Sequence, residues 1–293
     1  MLKPFGKKRL EAMDVISFAL MTMITLIVFV PFYNTVVISF STSRAYIAHP
    51  FALWPKEMTF DNYLIVIKTG TILSSYINTI VITVVGTLLS MAAMVAGAFV
   101  FSRRAFPGKK LFFLMLLFTM FFSGGMIPTY LTIKDLNLLN NRWTIILMCG
   151  VSVYNVIVLK SGFENIPDAL EEAAKIDGAN DIQIFVKVML PLMKAQIATF
   201  TLFTAVSYWN EWFWPMLVIN SSGKMTLMSY LRAIVMEAAS VTTADSAVDQ
   251  DMENFTMGVR MATIMLTMLP IMCVYPFLQK HFAKGIMLGS VKM

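Results

Sequence analysis

Between Asn165 and Pro191 the chain reads NIPDALEEAAKIDGANDIQIFVKVMLP, an acidic, small-residue segment set between long apolar runs. Its pattern predicts two short helices joined by a turn. Pro167 suits the first helical position and Asp168 the positive end of the helix dipole. Leu170, Ala173 and Ala174 recur at spacings of three and four, the period of one helical face. Gly178 is suited to end the first helix in a left-handed conformation, and Asn180 can cap the second. Phe185, Val186, Met189 and Leu190 then lead back to apolar surroundings. The polar face carries Asp168, Glu171, Glu172 and Asp177, where a loop lying on anionic lipid would carry Lys and Arg. Small and apolar on one side, acidic on the other, the segment is built to dock into another protein.

What surrounds it is suited to lipid. Of 293 residues, 58% are hydrophobic and 14% charged, with a mean hydropathy of +0.72. An ordinary soluble domain is about 45–50% apolar and about 25% charged. That excludes a disordered chain, a collagen-like repeat and a water-soluble enzyme, whose surface could not hold so much apolar area. A hydrocarbon core of about 30 Å needs about 20 helical residues. Six runs qualify, near 14–40 with Pro31 expected to kink it, 72–101, 111–133, 143–161, 195–219 and 259–279. The first follows Lys3, Lys7, Lys8 and Arg9 like a signal peptide, but it is long and lacks a small-residue cleavage site, so it reads as a retained helix. The expected fold class is all-α, a polytopic membrane protein with six transmembrane helices.

Six crossings place both ends on one side. Fifteen Lys and Arg fall on the side of the termini and eight on the other, which predicts cytoplasmic termini. Outside, residues 41–70 with Pro50, Trp54 and Pro55 are expected to form a cap, and residues 220–258 carry a water-seeking stretch of Asp245, Asp249, Asp251 and Glu253. Gly124-Gly125 reads as close helix packing or a helix break. Basic residues cluster at the ends of apolar runs rather than along a phosphate-binding stripe, which argues against nucleic acid. Cys149, Cys273, His49 and His281 are too few for a metal centre or a disulfide framework.

The residues Glu172-Ala173-Ala174, Gly178 and Val188-Met189-Leu190-Pro191 are spaced E-A-A, three residues, G, nine residues, an aliphatic, one residue, L-P. This resembles the "EAA" loop of ATP-binding-cassette importer permeases, and Asp177-Gly178-Ala179 has the form common in sugar permeases. The six-helix plan and the tail from Gly285 to Gly289, Val291 and Lys292 look like the shorter permease of maltose-type carbohydrate importers. Phe122-Ser123-Gly124-Gly125-Met126-Ile127-Pro128 resembles the branch importing complex oligosaccharides. The resemblance implies a type I importer permease fold in a bacterial cell membrane. It divides the chain into a leading segment, helix and external loop (1–70), a transmembrane domain (71–283) with the coupling loop at 165–191, and a tail (284–293).

It further implies that this loop is a coupling helix seated in a separate ATPase subunit. Glu172 would pair with a basic residue there, Gly178 would permit the turn, and Ala173 and Ala174 would allow close apposition; Glu171, Asp177, Ala179, Leu190 and Pro191 complete that surface. A second homologous permease, two ATPase subunits and an external solute-binding protein are the implied partners. No catalytic residue, cofactor or metal is expected on this chain. It lacks G-x-x-x-x-G-K-[ST], so ATP and magnesium belong to the partner subunits.

Along the fifth run, Tyr208-Trp209-Asn210-Glu211-Trp212 sets an amide and a carboxylate among rings. Trp209 lies 14 residues beyond Ala195, about 21 Å at ~1.5 Å per residue, so Glu211 is at or near hydrocarbon depth and needs a wet cavity or a partner. Rings meet the C–H faces of sugars and polar groups their hydroxyls, so these five residues are candidates for a sugar path, with Ser152, Tyr154 and Asn155 of the fourth run. Equally, the rings fit an interfacial belt and Asn210-Glu211 a kink at Pro215. A permease for peptides or anions, and more distantly a secondary transporter, are the competing functions.

Overall fold

The computed structural model describes residues 12–103, 106–241 and 257–273. Fifteen α-helices follow in order: α1 (Ala12–Ser39), α2 (Ser43–Ala48), α3 (Asp61–Lys68), α4 (Thr71–Ser102), α5 (Lys109–Phe121), α6 (Met126–Asp135), α7 (Arg142–Met148), α8 (Val153–Glu164), α9 (Asp168–Ile176), α10 (Asp181–Gln183), α11 (Leu190–Leu192), α12 (Lys194–Asn210), α13 (Phe213–Val218) and α14 (Leu227–Val241), then α15 (Met257–Cys273). A π-helical turn over Ile184–Met189 joins α10 to α11. Among the described residues no strand forms; Ser41 and Met58 make an isolated bridge.

Two helices, Met13–Ser39 and Thr71–Ser102, are long and apolar enough to cross a bilayer unbroken. Two of the expected runs are bent instead, and a third bend lies just before the fifth run. The third run turns 112° between α5 and α6, the fourth 53° between α7 and α8, and Asp181–Leu192 meets Lys194–Val218 at 81°. Counting each bent pair as one crossing gives up to five, so the expectation of six holds only in coarser form. The reason is physical: hydropathy counts apolar residues but does not fix the direction of the backbone. The 112° bend falls at Phe122–Gly125, which settles the glycine pair as a break. The first helix continues through Pro31. The N-terminal basic cluster, Arg104, the acidic stretch Asp245 to Glu253, the end of the sixth run, His281 and the tail with Gly285 and Gly289 lie outside the described residues.

The chain divides into two compact units. One comprises residues up to Lys68 with Glu237–Met268. In it the segment after α1 is ordered rather than a bare loop. The Asn62 amide, buried, donates to the carbonyls of Ser39 and Ser41 at 3.0 and 3.1 Å, Thr42 caps α2, and Phe40 packs on Phe60 and Tyr63. The other unit, Thr69–Met236 with residues from Leu269 onward, is organised around α4, which packs along α8 and α12. Two apolar layers fill it. Met91, Met94, Ala98, Leu159, Phe163, Ile184 and Met189 form one; Ile82, Ile145, Ile146, Tyr208 and Val218 form the other.

Candidate functional site

The acidic segment folds into a compact knob, closed by its own main chain. Pro167 stands at the N-cap of α9 rather than at its first helical position, so Asp168 opens the helix; the proline's missing N–H is harmless at either place. At the other end Gly178 adopts φ +83°. Its N–H donates to Lys175 O and the N–H of Ala179 to Ala174 O, both at 3.0 Å. These are the two bonds of a Schellman closure, which needs a left-handed residue where Gly178 stands. Open space surrounds the position of a Cβ there, so the glycine is required by backbone angle alone. Asn180 then starts the next helix with a reciprocal capping box, accepting from Gln183 N at 2.8 Å while the Gln183 side chain accepts from Asn180 N at 3.0 Å.

The two faces of the knob differ. Ala174, Ala179, Phe185 and Leu190 pack on the apolar layer of α4 and α8. Glu172, Ala173, Asp177 and Pro191 are exposed. So the adjacent alanines separate: Ala174 turns to its own subunit and Ala173 outward. Ile176 and Ile182, on either side of the Gly178 turn, are 86% and 74% exposed. Sequence reasoning missed both, although an isoleucine on each flank of a tight turn in an acidic loop was a readable sign.

Glu171 is held within the chain. Its carboxylate pairs with the Arg103 guanidinium at the end of α4 and accepts from Lys175 Nζ at 2.8 Å. Burial would raise its pKa, but the Lys175 hydrogen bond and the Arg103 and Lys175 charges outweigh that and hold it below the ordinary carboxylate value. The same pairing pushes the Lys175 ammonium up. Arg103 also lies over the Phe99 ring at 4.7 Å. These groups line a cleft of about 840 Å³ between α4, α8 and α9, with Lys109, Glu164, Asp168 and Asp181 on its walls.

The candidate path residues part company. Glu211 ends α12, and its Oε1 accepts from Phe213 N and Trp214 N, each at 3.0 Å. The carboxylate thus caps α13, which gives the charge partners within the chain. Asn210 is exposed and donates to Val206 O. Trp209 is half-buried, its indole N–H enclosed with no acceptor among the described residues. Trp212 lies under the Arg232 guanidinium, 3.7 Å from its ring centre. Tyr208 is 2% exposed; its hydroxyl donates to Ile146 O and so accepts from Ser90, both at 2.8 Å.

A cavity of about 250 Å³ nevertheless gathers part of the set. Ser152, in the break between α7 and α8, and Asn155, in the first turn of α8, face Thr204, Ser207 and Tyr208 of α12, with Met94, Cys149 and Phe203 completing the walls. Thr204 and Ser207 were not anticipated; Thr204 lies one turn and Ser207 one residue before Tyr208, where α12 meets the break. Tyr154 points away, 60% exposed. No group of three or more metal-ligating side chains occurs among the described residues.

Apolar helices long enough to cross a bilayer make this an integral membrane protein. The chain belongs to the family of binding-protein-dependent transport system inner membrane components, whose model matches residues 111–288. It is 40% identical to the polygalacturonan/rhamnogalacturonan transport system permease YtcP of Bacillus subtilis, over 95% of this chain and 98% of that protein. To LplC of the same organism it is 41% identical, over 91% and 90%. A chain from a bacterial ABC transporter importing the acidic polysaccharide alginate superposes with a TM-score of 0.83 at 32% identity, covering 96% of this chain and all of that one.

Proposed function

We propose that this chain is the permease subunit of an ATP-driven oligosaccharide importer, forming half of the translocation path and coupling to a separate ATPase through α9. The observation that carries the reading is the self-closed knob, with Glu172, Ala173, Asp177, Ile176 and Ile182 presented outward. A groove on the motor with a basic rim and an apolar floor is its complement. The other half of the path comes from a second, homologous permease, and an external binding protein delivers the sugar. ATP and magnesium act on two ATPase subunits; this chain binds neither. Six crossings complete the topology when α15 is added to the unbroken and bent spans, with both termini in the cytoplasm and residues 71–283 as the transport domain.

The Ser152–Asn155–Thr204–Ser207 cavity supplies hydroxyls and an amide in an otherwise apolar layer, the chemistry that exchanges hydrogen bonds with a passing glycan. The acidic polymers named for two relatives favour a uronate-bearing oligosaccharide. Arg232 has no ion pair among the described residues, and a guanidinium stacked on a ring keeps its in-plane N–H fork open to a carboxylate. The test is purification of the assembly from native membranes, then reconstitution with its binding protein. Uptake of oligogalacturonides or other glycans is the expected result. A complex without an ATPase, or uptake of peptides or small anions instead of glycans, overturns the reading.

A further inference from the structure

We infer that the Arg103–Glu171 pair is the clasp that transmits movement of α9 to α4, and through α4 to the opposite end of the bundle. The inference rests on the coupling reading of α9 but concerns a contact inside this chain.

Two different layers hold the knob to the body of the protein. One is apolar, with Ala174, Ala179 and Phe185 against the layer of α4 and α8. Its contacts are non-directional. The other is the clasp. Arg103 follows the last residue of α4, its guanidinium stacked on Phe99 and its Nε donating to Ser102 Oγ at 3.1 Å. Phe99 in turn packs on Phe163 and Phe185 at 5.7 and 4.7 Å. The cation is thereby fixed to the end of α4 before it meets Glu171. Glu171 is fixed in the same way, with Lys175 on its second oxygen. Both side chains are about four-fifths covered, so water competes less with this contact than with an open surface pair.

α4 can carry the motion. It is 32 residues long and packs along α12 and α8. Near its other end the Asn78 amide donates to the carbonyls of Gly223 and Met225, both at 2.9 Å, and Thr79 Oγ1 accepts from Leu227 N at 2.8 Å. From residue 78 to residue 103 an α-helix spans about 37 Å. A displacement of Glu171 by the motor therefore has a continuous route of directional bonds to the 223–227 segment, with rigid helix between. Glu172, next in sequence, is exposed on the rim of the same cleft and has no such tie among the described residues, so adjacent carboxylates divide the work: one meets the partner, the other pulls on α4. Arg103 and Glu171 are positioning residues, touching neither nucleotide nor sugar.

The test uses the whole transporter in proteoliposomes with its sugar-loaded binding protein. A fluorophore on Ser222→Cys, in a Cys149→Ala/Cys273→Ala background, reports the far end. Arg103→Glu and Glu171→Arg, each alone, should lower transport about tenfold relative to ATP hydrolysed, the scale of a typical coupling between sites, and remove the ATP-dependent fluorescence change. Subunit composition should stay unchanged. The double swap Arg103→Glu/Glu171→Arg should restore both readouts. Single variants that assemble and keep transport per ATP within twofold overturn the inference, as do assembled single variants that the double swap fails to rescue. If either single variant fails to assemble, Arg103→Gln and Glu171→Gln are read in the same way. A wild-type complex that contains no ATPase instead overturns the coupling reading itself.

Discussion

Tyr208 of α12 lies across Gly86 of α4 so closely that a Cβ at position 86 would stand 2.7 Å from the ring. The contact sets the spacing of the two helices where the phenol also reaches Ser90 and Ile146. The ring is buried and its hydroxyl is bonded on two sides, so moving it aside would cost those bonds. Gly86→Ala should destabilise the detergent-solubilised protein by about 1–3 kcal/mol, the scale of overpacking a core, and Gly86→Leu should prevent folding. Tyr208→Phe keeps the ring but leaves the Ile146 carbonyl without its donor, a loss of about 1–3 kcal/mol. Thermal unfolding of the purified variants checks all three.

Gly178→Val is expected to leave membrane insertion intact and abolish transport. The space around position 178 is open, so the penalty is backbone strain: left-handed geometry costs an L-residue about 1–2 kcal/mol, and a β-branched one more. Gly178→Asn, which tolerates that conformation, should keep substantial activity. Uptake assays on membranes with matched expression separate the two.

Glu211→Ala should act on local stability before it acts on sugar. Removing the carboxylate strips the cap from two N–H groups of α13, a loss of about 0.5–2 kcal/mol. Glu211→Gln keeps an acceptor oxygen and should be milder. Hydrogen exchange at Phe213 and Trp214 would rise in the alanine variant; unchanged exchange there would contradict the capping role.

Arg232→Lys tests whether planarity or charge alone matters beside Trp212. If the guanidinium fork meets a uronate, both Arg232→Lys and Arg232→Gln should slow import of an acidic oligosaccharide at saturating binding protein by about tenfold or more, the weight of a hydrogen bond to a charged group. Steady-state uptake of radiolabelled oligogalacturonide gives the answer.

The clasp has a pH signature. The carboxyl of Glu171 is depressed in the folded chain, so its contribution is complete above the unfolded carboxylate value, about 4.3. It declines as pH falls toward the lower folded value and is gone below both. The stability difference between wild type and Glu171→Gln should therefore be flat around neutrality and shrink only in acid. A difference that grew on acidification would contradict the assignment.

What the sequence made legible was local. Gly178 and Asn180 act over five residues or fewer, and their roles can be read from spacing alone; the reciprocal bond to Gln183 was not read. Lipid-scale helices followed from composition. The bend at residues 122–125 was legible only as one of two readings of Gly124-Gly125, and that at 149–152 not at all, since an apolar stretch looks the same straight or folded back. The Arg103–Glu171 pair joins residues 68 apart and has no local sign. Glu211 shows the other limit: a carboxylate among rings fits a sugar contact and a helix cap equally well until the course of the backbone is known.

Because the Schellman turn and capping box satisfy the backbone of the knob internally, the surface around Ile176 and Ile182 is already formed when it meets the ATPase we propose as its partner. Recognition then carries no folding penalty, which favours rapid engagement and release. A docking element of this kind sets few demands on the rest of its owner, so a single ATPase with one suitable groove could be shared among several permeases.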